Sequence, residues 1–208
     1  MKIDIISDIS CPFCALGYLQ LKTALGDREA NITWHPFDIN PNVPSEGKDL
    51  RQNLNEKYGM SVEACEANFA NFIKNGAALG FEFNYPKGKR AYPSIRGHQL
   101  IHWVQSEGGD ATPLKMALLN AFFRDGKNYY DIDVLVDVAT SVGLDETQSR
   151  AVLEDARFEA TVRDEIEGWQ QRGITGVPSI IFNDKYLVSG AQGVEAFKEM
   201  LAEIDGKA

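Results

Sequence analysis

Cysteine is scarce: three residues in 208, too few for the disulfide framework that staples small secreted domains. Long apolar runs are missing too, and none approaches the roughly 20 residues that a membrane-crossing helix needs. Positive charge is in deficit, with 21 Lys and Arg against 30 Asp and Glu and a formal net charge of -9. That balance opposes sequence-independent attachment to phosphate backbones or anionic lipid, so neither nucleic acid nor membrane is expected as a partner. The opening Met1-Lys2-Ile3-Asp4-Ile5-Ile6-Ser7-Asp8 carries acids where a signal peptide has its apolar segment, and it shows no small-residue cleavage pattern. A cytoplasmic location is the expectation. No second cysteine pair follows the first, so a zinc site would lack half its ligands. No period recurs that would build a solenoid. What remains is a globular composition, 44% hydrophobic and 25% charged, sized for one or two domains at about 150 residues each and able to build a core without staples.

The β-branched run Ile3, Ile5 and Ile6 reads as a strand, and Cys11 to about Gly26 as a helix with Leu16, Leu19 and Ala24 on its apolar side. Asn31 to Asp38 alternates Ile32 and Trp34 with Thr33 and His35, a second strand ended by Pro41 and Pro44. From about Ser45 to Phe158 the reading is helical. Segments are expected at Asp49 to Tyr58, from a Ser61 cap to Leu79, from Pro93 or Ser94 to Ser106, and from Thr112 with Pro113 to Arg124. Asp131 to Val142, Asp145 to Glu154 and Arg157 to Gln171 complete the set, and Gly80 to Lys89 reads as a loop with an extended piece. Ser179 to Phe182 and Tyr186 to Val188 are strands around Asn183-Asp184, before a final helix whose stripe is Val194, Phe197, Leu201 and Ile204. The order is β, α, β, a long helical stretch, then α, β, β, α.

Cys11 and Cys14 form a C-x-x-C at a strand-to-helix junction. A helix start presents unpaired backbone N–H groups and the positive end of the helix dipole, which stabilise the nucleophilic thiolate at Cys11. Pro12 suits the first turn, where its missing N–H is no loss. Cys14, one turn further in, is expected to be more buried and placed to attack a mixed disulfide at Cys11. Pro178 follows a glycine-rich turn, and because cis X-Pro bonds are uncommon in folded proteins, local sequence favours a trans proline opening a strand.

Three segments together carry a resemblance: Asp8-Ile9-Ser10-Cys11-Pro12-Phe13-Cys14, Trp34-His35-Pro36-Phe37 with Asn40-Pro41, and Gly173-Ile174-Thr175-Gly176-Val177-Pro178-Ser179. They resemble the DsbA-family thioredoxin-fold oxidoreductases, and within them the FrnE-like subgroup, over nearly the whole chain. Val188-Ser189-Gly190-Ala191-Gln192 and Gly97-His98-Gln99-Leu100 are similar to that subgroup as well. The resemblance implies an α/β thioredoxin fold with a long all-helical insertion. A thioredoxin-like domain is then expected at 1–45 plus 157–208, with the helical insertion at 46–156. It also implies that Pro178 is the family's cis-proline, packed with Val177 beside Cys11 and offering backbone groups to substrate. Asp8 matches an acid common in the subgroup that helps move protons near Cys14; read from local chemistry it caps a turn.

The chain departs from the subgroup at Phe13, where Trp or His often lies, and at Gly97 and Gln99, which replace an alanine and an arginine. Related kappa-class glutathione transferases and 2-hydroxychromene-2-carboxylate isomerases usually carry serine at the first cysteine position. The expected activity is therefore thiol-disulfide exchange, with Cys11 as nucleophile, Cys14 as resolving thiol, and Pro12, Phe13, Val177 and Pro178 holding the substrate. A glutathione-dependent transferase or isomerase of small aromatic or polyketide-like substrates is the alternative. Protein or small-molecule thiols and disulfides are the expected partners, and glutathione is a candidate co-substrate rather than a tightly bound cofactor. His98 and His102 have the spacing of a metal pair but lack an accompanying Glu motif, so no metal is expected. Cys65, Phe69, Phe72, Phe122 and Phe123 read as core.

Overall fold

The computed structural model describes residues 1–206. Four strands form the central sheet: β1 (Lys2–Ser7), β2 (Asn31–Pro36), β5 (Ser179–Phe182) and β6 (Tyr186–Ser189), in the order β2-β1-β5-β6. Strand β1 runs parallel to β2, with Ile5 opposite Trp34, and antiparallel to β5, with Ile5 opposite Ile180. A parallel pair needs a crossover, which α1 (Pro12–Leu25) supplies. Asn183 and Asp184 turn β5 into β6 in the left-handed conformation that these two residue types tolerate.

Alternation along β1 sorts its side chains onto two faces. Ile3 and Ile5 join the main core with Leu16 and Leu21 of α1 and with Phe197 and Leu201 of α9 (Val194–Asp205). Ile6 packs on the other face with Phe37 and Ile174. On that second face α8 (Glu159–Gln171) is tied to the sheet through His35, whose Nδ1 lies 2.6 Å from Glu165 and whose Nε2 lies 2.8 Å from Asp4. Burial alone would lower the His35 pKa, and the two carboxylates outweigh it and raise it.

Between β2 and α8 the chain forms the helical insertion: α2 (Leu50–Tyr58), α3 (Val62–Ala78), α4 (Ile95–Ser106), α5 (Thr112–Phe123), α6 (Ile132–Ser141) and α7 (Glu146–Glu154). The side chains of Asp49, Ser61, Asp131 and Asp145 cap α2, α3, α6 and α7 by accepting a first-turn N–H. Thr112 does not cap α5; Ala111 holds that position, and the Thr112 hydroxyl accepts instead from the indole Nε1 of buried Trp34 at 3.0 Å. A buried indole needs an acceptor, and that demand overrides the cap. Gln105 of α4 donates to and accepts from the Trp34 backbone, at 2.9 and 2.7 Å, so the free edge of β2 is covered by a side chain. A two-residue ribbon of β3 (Lys48–Asp49) and β4 (Arg90–Ala91), not foreseen from sequence, closes the base of α2.

Gly76 fixes α3 against the segment that follows it. A Cβ there would stand 2.4 Å from the Phe83 ring and 2.6 Å from the Phe81 carbonyl oxygen. Backbone cannot yield as a side-chain tip does, so Gly76→Ala is expected to destabilise the fold by about 1–3 kcal/mol. A lowered urea midpoint with unchanged slope would show it, and an unchanged midpoint would contradict this packing.

Candidate active site

Strand β1 ends at Ser7, and the turn to α1 is built on Asp8. The Asp8 carboxylate accepts from Ser10 N at 2.8 Å and from Ile39 N at 2.7 Å, and its carbonyl accepts from Cys11 N at 3.3 Å. This buried side chain therefore fastens the cysteine turn to the loop after β2. Cys11 is the N-cap residue of α1, where its side chain makes no cap bond and no acid stands in the first turn to oppose the positive end of the helix dipole. Cys11 is 5% exposed and Cys14 1%. Burial, followed by the proximity of Cys11, pushes the Cys14 thiol well above the usual range.

From the opposite side comes the loop before β5. The Val177–Pro178 peptide is cis, against the local-sequence preference and in agreement with the resemblance. Cys11 Sγ lies 3.6 Å from the Val177 carbonyl oxygen, which it reaches as a weak donor. Gly17 of α1 permits this approach, since a Cβ there would meet Pro178 Cγ at 2.9 Å. Gly190 N donates to the Pro178 carbonyl at 2.7 Å and anchors the loop to the end of β6.

A cavity of 610 Å³ opens above Cys11, within the size range of small-molecule sites. Of the residues singled out in the sequence, Cys11, Pro12, Phe13 and Val177 line it, whereas Cys14 and Pro178 lie behind the wall. Phe69, Phe72, Phe122 and Phe123, read from sequence as core, also line it. They are packed into the insertion on one side and show the other to the cavity, because α3, α5 and the Phe81–Tyr85 segment roof the cysteine turn. Phe13, 52% exposed, sets its ring edge against Phe72 at 4.9 Å, and Phe69 stacks on Tyr85 at 4.2 Å.

Three site residues escaped the sequence reading. The Tyr85 hydroxyl is buried on this wall without a hydrogen-bond partner, and burial raises its pKa. Asp38 lines the cavity half-buried; its Oδ1 accepts from Asn40 N at 2.8 Å, and burial together with Asp8 pushes its pKa up to about 6. Lys115 of α5 is 1% exposed, with its ammonium 5.3 Å from the centre of the Trp34 ring. Burial pushes it down to about 8, while Cys14, Asp8 and Cys11 act electrostatically in the other direction. None sits in a motif. Each is brought to the cysteines by the packing of a distant element.

His98 and His102 do not act together. His98 is buried and donates through Nε2 to the Phe37 carbonyl at 3.0 Å, with burial holding its pKa well below the usual value. His102 stands 3.8 Å from Glu165. Cys65 is fully buried in α3.

This architecture has counterparts. The structure of a probable DsbA oxidoreductase, SCO1869 from Streptomyces coelicolor, superposes with a TM-score of 0.91 at 30% identity, covering 100% of this chain and 91% of that one. The uncharacterised protein YwbO of Bacillus subtilis is 25% identical over 204 residues, 98% of this chain and 96% of its own. The cytosolic disulfide reductase DsbM of Pseudomonas aeruginosa, with GSH, shares the fold at 11% identity and a TM-score of 0.66, over 98% of each chain. The model of the DSBA-like thioredoxin domain matches residues 2–202, a span that takes in the sheet, the helical insertion and both sides of the cysteine site, and the chain belongs to that family.

Proposed function

We propose that the protein is a dithiol-disulfide oxidoreductase that works through Cys11 and Cys14. The observation that carries this reading is the unequal placement of the two sulfurs: Cys11 stands on the cavity wall at the N-cap of α1, and Cys14 lies one turn into the helix, buried and outside the cavity lining. The Cys11 thiolate attacks a substrate disulfide, forming a mixed disulfide and releasing one thiolate, which takes up a proton. Cys14 then gives up its proton and attacks Cys11 Sγ. The second substrate thiol leaves, the Cys11–Cys14 disulfide forms, and two electrons have passed to the substrate. The reverse sequence oxidises a dithiol. Pro12, Phe13, Val177 and Pro178 form the substrate side of the site in this reading. Asp8, whose carboxylate holds the turn and whose pKa burial raises, is the acid this reading assigns to the proton of Cys14.

Protein or small-molecule thiols and disulfides are the substrates, glutathione is a candidate co-substrate, and the cytoplasm is the compartment this reading assigns. No described helix is long and apolar enough to cross a membrane. The aromatic cavity supports a second reading, a glutathione-dependent transferase or isomerase of small aromatic substrates, which would not require Cys14.

Stoichiometry tests the first reading. One equivalent of a peptide disulfide mixed with the reduced protein is expected to consume two protein thiols, mapped to Cys11 and Cys14, with Cys65 untouched. Peptide reduction without joint loss of these two thiols would overturn it.

A further inference from the structure

The cavity wall is mostly apolar, and its charged residues are Asp38 and Lys57. They are not equivalent. Lys57 is exposed at the rim; its Nζ donates to the Ile39 carbonyl and lies 4.8 Å from the centre of the Tyr58 ring. Asp38 is half-buried and held by the Asn40 amide. The charged groups that act on Asp38 are Asp8 of the cysteine turn, Lys57 of α2 and Arg163 of α8. Arg163 is bound to Glu159 of its own helix through Nε and Nη2, at 3.0 and 2.7 Å. The cavity beside Cys11 therefore presents aromatic rings and a half-buried carboxylate, while its one lining ammonium is exposed at the rim, where water screens its charge.

We propose that Asp38 makes this site selective by charge: uncharged aromatic disulfides and thiols react fastest at Cys11, and anionic ones, glutathione as co-substrate included, react more slowly. The inference rests on Cys11 being the exchanging thiol. Rings on a ligand find rings on the wall. A carboxylate on a ligand must shed water beside half-buried Asp38, and the exposed, water-screened Lys57 ammonium at the rim compensates less than that contact costs, which discriminates against one substrate class rather than strengthening binding of the other. The covalent step is that described above, with the ligand disulfide taking two electrons and leaving as two thiols.

The test compares two aromatic disulfides, neutral bis(nitrophenyl) disulfide and dianionic dithiobis(nitrobenzoate), reacting with the reduced full-length protein. Their leaving groups differ, so the quantity read is the dianion-to-neutral rate ratio, which compares variants on the same pair of reagents. Asp38→Asn is expected to raise that ratio about tenfold, the size of effect expected from removing one like charge from a partly buried site. Asp38→Glu is expected to keep it near the wild-type value. In the wild type the ratio is expected to climb as pH falls through about 6, where Asp38 takes its proton; this arm needs no variant to fold. An unchanged ratio in Asp38→Asn together with a flat wild-type pH profile would overturn the inference and leave the exchange reading standing. Failure of Cys11 to react with either reagent would overturn both.

Discussion

Cys14→Ser is expected to turn the protein into a trap. The substrate disulfide is opened by Cys11 as before, but no thiol stands behind it, so the mixed disulfide accumulates at one substrate per chain. Turnover should fall by about a thousandfold or more, the scale on which loss of a group acting as a unit with its partner is felt. Cys11→Ser is expected to lose adduct and turnover together, because a hydroxyl has no thiolate-like nucleophile at neutral pH. Intact mass under non-reducing conditions distinguishes the two: an adduct on Cys11 in the first variant, none in the second. Cys65, fully buried in α3, offers no competing site. Turnover that survives Cys14→Ser would favour the glutathione-dependent reading.

Lys115→Met is expected to stabilise the fold and slow the chemistry. The Lys115 pKa of about 8 lies below its ordinary 10.5, chiefly through burial. Between those values the unfolded chain holds the extra proton, so this residue makes stability rise as pH increases from about 8 to 10.5. Below about pH 8 the ammonium is charged in both states and the cost of burying it is present in full, about 3 kcal/mol for a shift of that size. Methionine fills similar space without charge, and Lys115→Met should recover a good part of that ~3 kcal/mol at pH 7. The same ammonium favours the thiolate of Cys14, which burial opposes. Without it, less of Cys14 is thiolate and resolution of the mixed disulfide should slow severalfold. Urea midpoints at pH 7 and pH 10, read beside the single-turnover rate, test both effects. A variant less stable at pH 7, with an unchanged rate, would contradict the assignment.

The sequence was most legible where local rules decide. β1 shows its β-branched run, α2, α3, α6 and α7 show their caps, and α9 shows a clean stripe; each is a short-range pattern with a physical cause. The C-x-x-C announced itself because strand, turn and helix start are contiguous. Where tertiary demand overrides local preference, the sequence was silent or misleading. Thr112 looks like a cap until the Trp34 indole takes its hydroxyl. Pro178 looks trans until the family resemblance is weighed, and the structure has it cis. The core reading of Phe69, Phe122 and Phe123 holds, and Phe72 packs against that core; what stayed hidden is that all four also line the cavity, because a ring that packs on one side and faces a cavity on the other has the same periodicity as a ring buried all round. Lys115 on α5 and Tyr85 in a loop become neighbours of the cysteines only when the insertion folds over the sheet, and Asp38 only when β2 pairs with β1 and Asp8 ties down the loop after it. Lys115 could have been suspected as a lysine within the apolar stretch Leu114-Lys115-Met116-Ala117-Leu118-Leu119, but not its partner.

The account turns on Cys11 and Cys14 acting as one redox couple. The most direct measurement equilibrates the protein in glutathione buffers of graded potential, quenches with acid, alkylates free thiols and maps them by mass. The expected result is a single reversible two-electron transition in which Cys11 and Cys14 lose reactivity together while Cys65 remains a thiol throughout. A chain in which the two never form a disulfide across the accessible range, or in which Cys11 ends only as a stable glutathione adduct, would contradict it.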